Sequence, residues 1–191
     1  MRRIGLFGGS FDPVHLGHLL VAEAACEEFQ LDRLHFIPAA RSPFKPDSEP
    51  APDQLRLRML RLALAGNPRF RIETMELDRG GTSYSIDTIR TFAAQHPDAA
   101  LFWLIGADHV ATLDKWRDAD QLARKIEFLI IPRPGEPPAT PPPGFAVHSL
   151  HGFPLGVSSS QIRARVKQRL PVGYLTGPAV AQCIHDNGLY L

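Results

Sequence analysis

Cysteine is scarce in this sequence, with two in 191 residues, too few for the disulfide framework that stabilises small extracellular folds. Cys26 and Cys183 both fall on the apolar side of helical patterns, where free thiols pack as small hydrophobes, and a reducing compartment is expected. Neither sign of charge dominates: 21 basic residues face 20 acidic ones, for a net charge of +1 at pH 7. That balance argues against nucleic acid and against membrane surfaces as partners, because both recruit clustered cations. Long hydrophobic runs are missing as well. The short apolar run behind Met1-Arg2-Arg3 gives way to glycines, so no secretory signal is read there, and no stretch is long enough to span a bilayer. A soluble cytoplasmic protein is expected.

What is present is modest in amount and ordered in pattern. With 44% apolar residues, a chain of this length can bury one good core, and a single domain over residues 1–191 is expected. Apolar runs at Ile4 to Gly8, Leu34 to Pro38, Phe70 to Leu77, Leu101 to Gly106, Ile126 to Pro132 and Ala146 to Leu150 read as strands. Some are apolar throughout, as in Phe128-Leu129-Ile130-Ile131, which suits parallel strands covered on both faces. Helical spacing marks Leu16 to Gln30, Asp53 to Ala65, Ser85 to His96, Asp118 to Lys125, Ser159 to Arg169 and Pro178 to Asn187. Strand alternating with helix predicts a doubly wound, Rossmann-like α/β fold, a parallel sheet flanked by helices, with a small helical part from about residue 157 to 191. Ligands of such folds bind beyond the carboxyl ends of the strands, where the strand order reverses.

Residues 8 to 18 lie at that end of the first strand and read Gly-Gly-Ser-Phe-Asp-Pro-Val-His-Leu-Gly-His. Gly8 and Gly9 lack a Cβ and tolerate positive φ, so the backbone there can approach a bulky anion. Ser10 adds a hydroxyl and Pro13 fixes the turn. His15 and His18 fall in the first turn of the following helix, where unpaired N–H groups and a partial positive charge attract phosphate. A metal site is a second reading, since residues three apart share a helix face, but no carboxylate or cysteine of matching spacing follows. Rings satisfied by the backbone of the turn are a third. Phosphate contact accounts for the glycines, the proline and the helix start together.

Two proline-rich segments interrupt the pattern. Pro38 to Pro52 carries five prolines with Arg41 and Lys45, follows the second strand at the same edge, and reads either as a lid whose lysine closes on phosphates or as an inert loop. Pro132 to Gly144, with seven prolines, reads as an extended exposed connection. Further on, Val157-Ser158-Ser159-Ser160-Gln161-Ile162-Arg163 looks like a capped basic helix. Three hydroxyls with a forked guanidinium one turn on also suit a second set of phosphate oxygens.

Gly9 to His18 resembles the G-x-F-x-P-x-H-x-G-H motif of the nucleotidyltransferase superfamily, and Val157 to Arg163 resembles its I-S-S-T-x-I-R motif, with Val157 for isoleucine and Ser160 for threonine. Over essentially the whole chain the sequence is similar to the bacterial nicotinate-nucleotide adenylyltransferases. Thr82-Ser83-Tyr84-Ser85, Ile105-Gly106-Ala107-Asp108, Lys115-Trp116, Arg133-Pro134-Gly135 and Asn187-Gly188-Leu189-Tyr190 carry the rest of the likeness. The first motif identifies the superfamily; the acceptor rests on the middle segments.

The resemblance implies transfer of an adenylyl group from ATP to nicotinate mononucleotide in NAD biosynthesis, with pyrophosphate leaving and Mg²⁺ held mainly through substrate phosphates. It implies catalytic roles for His15, His18, Lys45 and Arg163. ATP would meet Gly8, Gly9, Ser10, Phe11, both histidines, Gly106, Asp108, Arg133, Ser158, Ser159 and Arg163. The acceptor would meet Ser10, Phe11, Lys45, Thr82, Ser83, Tyr84 and Trp116, the tryptophan stacking on the pyridine ring and the amides of residues 82–85 forming a helix N-terminus for its carboxylate. Asp108 would bind nucleotide hydroxyls, cap a short helix, or do both. Nicotinamide mononucleotide and phosphopantetheine stay open as acceptors, as does a non-catalytic nucleotide-binding module, and the likeness also allows a homodimer.

Overall fold

Six parallel strands form one sheet in the order β3-β2-β1-β4-β5-β6: β1 (Arg2–Gly9), β2 (Arg33–Pro38), β3 (Phe70–Ile72), β4 (Ala99–Gly106), β5 (Glu127–Ile131) and β6 (Val147–Ser149). This computed structural model describes residues 1–44, 49–132, 140–153 and 155–191. The helices are α1 (Leu16–Glu28), α2 (Asp53–Leu64), α3 (Met75–Arg79), α4 (Ser85–Gln95), α5 (Ala107–Val110), α6 (Ala119–Lys125), α7 (Ser159–Lys167), α8 (Gly173–Thr176) and α9 (Pro178–Asp186). The expected doubly wound architecture is the observed one. Among the described residues no helix is long and apolar enough to cross a membrane.

The pleat divides the core in two. Along β4, Phe102 and Leu104 face one layer with Leu34 and Phe36 of β2 and the apolar sides of α1, α2 and α9. Leu101, Trp103 and Ile105 face the other, with Ile86, Ile89 and Phe92 of α4 and Leu122 of α6. Both faces are therefore covered, which is why these strands are apolar at consecutive positions. Cys26 and Cys183 are buried free thiols in the first layer, as expected.

The chain moves outward from β1 through β2 to β3, then returns through α4 to pair β4 with the other side of β1. In folds of this kind the ligand crevice lies where the order reverses, here at the carboxyl ends of β1 and β4. The motif of residues 8–18 sits there.

One expectation fails. The strand read over Phe70 to Leu77 stops at Ile72, and Met75–Arg79 is a helix, ended by Gly80 at φ +69°. The alternation of Met75 and Leu77 imitates a strand, but Glu76 between them points inward and is buried. The short helices α5 and α8 also carry too few residues for a periodic signal.

Arg56 of α2 is the largest fully buried side chain. Its guanidinium donates to the carbonyls of Ala51 (3.1 Å) and Ser10 (2.7 Å) and to Asp53 Oδ1 (2.5 Å). A guanidinium removed from water needs such acceptors, and the two carbonyls gain a charged donor in return. Arg56→Met is expected to lower unfolding free energy by about 2–4 kcal/mol, because two acceptors are orphaned. Asp53→Ala, which removes a half-exposed partner, should cost under about 1 kcal/mol. Urea denaturation of both variants checks the contrast, and equal losses would show that the ion pair matters and the carbonyls do not.

Candidate active site

The loop after β1 is held from behind. Carbonyls of Ser10, Asp12 and Pro13 accept hydrogen bonds from Arg56 Nη1 (2.7 Å), Arg163 Nη1 (2.8 Å) and the Ser159 hydroxyl (3.0 Å), and Gly9 accepts from the Ala39 amide at 2.9 Å. In a trans peptide the N–H lies opposite the preceding C=O. With the Ser10 and Pro13 carbonyls turned to these donors, the Phe11 and Val14 amides point the opposite way, away from Arg56 and Ser159. Gly8 and Gly9 are not in the left-handed region; Phe11 takes that conformation instead, at φ 46°. The glycines serve packing: a Cβ on Gly8 would stand 2.7 Å from the Trp103 ring, and one on Gly9 3.1 Å from Phe11. Phe11 is buried in the core and meets the His18 ring edge-on at 5.0 Å, so it backs the histidine rather than facing solvent.

His15 is the N-cap of α1, in extended conformation, and its amide donates to His18 Nδ1 at 3.2 Å. A nitrogen that accepts carries no proton, so this bond places the His18 proton on Nε2. The two imidazoles stack 3.7 Å apart, 26° from parallel. Burial lowers the His15 pKa to about 4, against the opposing hydrogen bond of its own backbone. Its Nδ1 is buried with no hydrogen-bond partner among the described residues. A neutral His15 ring thus stacks on His18 at a helix N-terminus.

The second motif closes on the first. Ser158 is the N-cap of α7, accepting from the Gln161 amide (3.2 Å) while Gln161 accepts from the Ser158 amide (2.9 Å). Ser159 holds Pro13, and Ser160 accepts from Arg163 Nη2 at 3.2 Å. The three hydroxyls nominated for phosphate are engaged within the protein, two of them in fixing Arg163 and the loop. Gly17 permits this approach, since a Cβ there would stand 3.0 Å from Val157 and 3.1 Å from the His15 ring.

Beyond β4, Asp108 lies in the first turn of α5, whose N-cap is Gly106. A Cβ on Gly106 would collide with the Asp108 carboxylate. The segment after β2 spans the end of β1 to reach this side: Phe44 stacks on His109 at 4.5 Å and meets Trp116 at 5.6 Å. Phe44, Tyr84, Ser85, Lys115, Trp116 and Arg117 line a half-open pocket, with the Arg117 guanidinium 4.7 Å above the Tyr84 ring. Trp116 Nε1 is buried and has no hydrogen-bond partner among the described residues.

The helix N-terminus expected at residues 82–85 is shorter than read. Tyr84 is the N-cap of α4, and the Ser83 amide is already given to the Arg41 carbonyl at 2.9 Å. Thr82 bridges Arg41, and the Ser83 hydroxyl accepts from the Ala40 amide at 3.0 Å. Behind them lies the buried Glu76, bonded to the Thr88 hydroxyl at 2.6 Å and to Ser83, its pKa pushed up by burial against those hydrogen bonds. Ser83 is thus a strut between the start of α4, the buried Glu76 and the segment after β2. Glu76, Arg56, Phe44 and His109 escaped sequence reading: each acts through partners set by the fold, and Glu76 was further hidden by the strand reading of its segment. Lys45 and Arg133 lie outside the described residues, as does most of the Pro132–Gly144 connection.

The chain matches the cytidylyltransferase-like family over residues 6–165. It is 42% identical over 190 residues to a protein of Opitutus terrae named a probable nicotinate-nucleotide adenylyltransferase, covering 98% of this chain and 97% of that one. It is 38% identical to the nicotinate-nucleotide adenylyltransferase of Bacillus subtilis, covering 100% of this chain and 99% of that one. In fold it is similar to the Plasmodium falciparum nicotinic acid mononucleotide adenylyltransferase solved in complex with NaAD, with a TM-score of 0.81 and 16% identity over 100% of this chain and 98% of that one. Sequence likeness along the full length, with the histidine loop and the α7 arginine brought to one crevice, establishes that the chain belongs to the nicotinate-nucleotide adenylyltransferase family.

Proposed function

We propose that the protein transfers the adenylyl group of ATP to nicotinate mononucleotide, giving nicotinate adenine dinucleotide and pyrophosphate in NAD biosynthesis. The observation that carries this reading is a pair of differently equipped regions at the carboxyl ends of the neighbouring strands β1 and β4. On one side stand the outward amides of the loop with His15, His18 and Arg163; on the other, an aromatic pocket edged by Lys115 and Arg117.

The acceptor's phosphate monoester has a second pKa near ~6, so near neutral pH it is mostly a dianion and needs no general base. One of its oxygens attacks the α-phosphorus in line, the bond to the bridging oxygen breaks, and pyrophosphate leaves with the electron pair. The protein's part is alignment and charge neutralisation. His18 Nε2–H and the amides of Phe11 and Val14 are placed to donate to phosphate oxygens, and the planar fork of Arg163 suits the β and γ groups. Ser158 and Ser159 contribute by holding α7 and the loop, Gly106 and Asp108 by meeting the nucleotide's hydroxyls. Lys45 and Arg133 add cations in this reading.

Among the described residues no three His, Cys, Asp or Glu side chains converge as a metal cage, and Asp12 is engaged by protein donors. This donor set fits Mg²⁺ carried by the substrates' own phosphate oxygens, where the ion neutralises charge between two polyanions. In the pocket, the Trp116 face suits a pyridine ring, and two neighbouring cations favour the carboxylate of nicotinate over the neutral amide.

With Mg²⁺-ATP, kcat/KM for nicotinate mononucleotide should exceed that for nicotinamide mononucleotide by at least about ten-fold, or about 1.4 kcal/mol. A preference for the amide would overturn the acceptor pocket, and no turnover with either would overturn the reaction. Trp116→Ala should raise KM for the acceptor about ten-fold with KM for ATP nearly unchanged, whereas His18→Ala should lower kcat by about a hundred-fold or more. Equal effects of Trp116→Ala on both substrates would reject the stacking role.

The acid limb of the activity profile should follow the acceptor phosphate near pH ~6, since His15 stays neutral until about pH 4. Because the unfolded chain binds this proton near pH ~6.5 and the folded one only near 4, stability drops as pH falls through that window, by up to roughly 3 kcal/mol. An NMR titration of the His15 ring with a midpoint near 6.5 would contradict the assignment.

A further inference from the structure

Asp12, a buried carboxylate that the reaction does not use, joins the loop to two distant parts of the chain. Its Oδ1 accepts from the Ala51 amide at 3.1 Å and from the Tyr190 hydroxyl at 2.6 Å. Its Oδ2 lies 3.9 Å from Arg163 Nη1, which instead donates to the Asp12 backbone carbonyl. Tyr190 follows α9 and is held at φ +66°, a left-handed conformation costly for an aromatic residue. It therefore reaches, from 178 positions away, one atom of the catalytic loop.

We propose that Tyr190 is a positioning residue for adenylyl transfer: its hydroxyl satisfies Asp12 and thereby leaves Arg163 turned toward the nucleotide phosphates. The inference rests on the reading of Arg163 as a phosphate ligand. A buried carboxylate left with a single N–H donor draws the nearest cation that can move. Arg56 cannot answer, because its guanidinium is fully buried and fixed by Ser10, Ala51 and Asp53. Arg163 can: its side chain is a third exposed, its Nη2 bond to Ser160 is at the surface, and its Nη1 already lies 3.9 Å from Asp12 Oδ2. Closing its 3.9 Å gap would turn a long ion pair into a short one and draw the fork further onto the loop and away from substrate. Burial and the adjacent carboxylate raise the Tyr190 pKa, so the hydroxyl remains a donor at every pH at which the enzyme would work.

The test is a double-mutant cycle of Tyr190→Phe and Asp12→Asn, read by steady-state kinetics and by calorimetric binding of inorganic pyrophosphate. Tyr190→Phe should lower kcat/KM for ATP and weaken pyrophosphate binding, each by about ten-fold. KM for nicotinate mononucleotide should stay within about two-fold, and Tm should fall only slightly. In the Asp12→Asn background no charge remains to capture Arg163, so adding Tyr190→Phe should change pyrophosphate affinity less than about two-fold. Unchanged pyrophosphate binding in Tyr190→Phe, equal losses for both substrates, or a full-sized effect in the Asp12→Asn background would each overturn the proposal. Absence of turnover by the unmodified enzyme would overturn the proposed reaction instead, and the pyrophosphate cycle would still decide the role of Tyr190.

Discussion

The chain between Gly9 and Leu16 turns its carbonyls of residues 9, 10, 12 and 13 toward protein donors, and the facing of the whole loop depends on those bonds. Inward-facing carbonyls of this kind are expensive unless each meets a donor. Here the donors come from the start of the segment after β2, from α2 and from α7. The sheet fixes where the loop begins, since Gly9 is the last residue of β1 and pairs with Pro38. The distant donors fix which way it faces. Without them the glycines and histidines would be present but aimed at random.

This dependence explains why the helical part after residue 157 belongs to the site and not beside it. Ile162 of α7 and Val180, Cys183 and Ile184 of α9 share the apolar layer with Met59 and Leu60 of α2. Burial of these side chains holds α7 against the sheet, and Ser159 and Arg163 then meet the loop with no long side-chain search. The acceptor side is built on the opposite layer, where α4 and α6 pack. The crevice therefore has one wall from each layer, and β1 with β4 as its floor.

The architecture was legible because the strands are continuously apolar and the helices amphipathic, and the histidine motif could be placed at a strand-to-helix handover from the glycines and Pro13 alone. What the sequence concealed were orientations. Gly8 and Gly9 look like positions for positive φ, but they serve to admit Trp103 and Phe11, which come from β4 and from the loop itself. Ser158, Ser159 and Ser160 look like three phosphate ligands, yet each hydroxyl has a protein partner that only tertiary structure supplies. Arg56 reads as one charge in an amphipathic helix, and nothing local says that its partners are carbonyls of residues 10 and 51. The helix Met75–Arg79 is too short for its period to outweigh the alternation of its apolar residues.

The stacked histidines have an ionic-strength consequence. A ring with its pKa near 4, lying 3.7 Å from another ring whose Nδ1 serves as an acceptor, contributes no full charge at neutral pH. On the proposed reading the histidines would hold phosphate by short contacts, which mobile ions with a Debye length of about 8 Å screen poorly. Full charge is carried by Arg163, Lys115 and Arg117. Added salt should therefore slow the arrival of anionic substrates more than it loosens their final fit, so that capture and alignment answer to different physical forces.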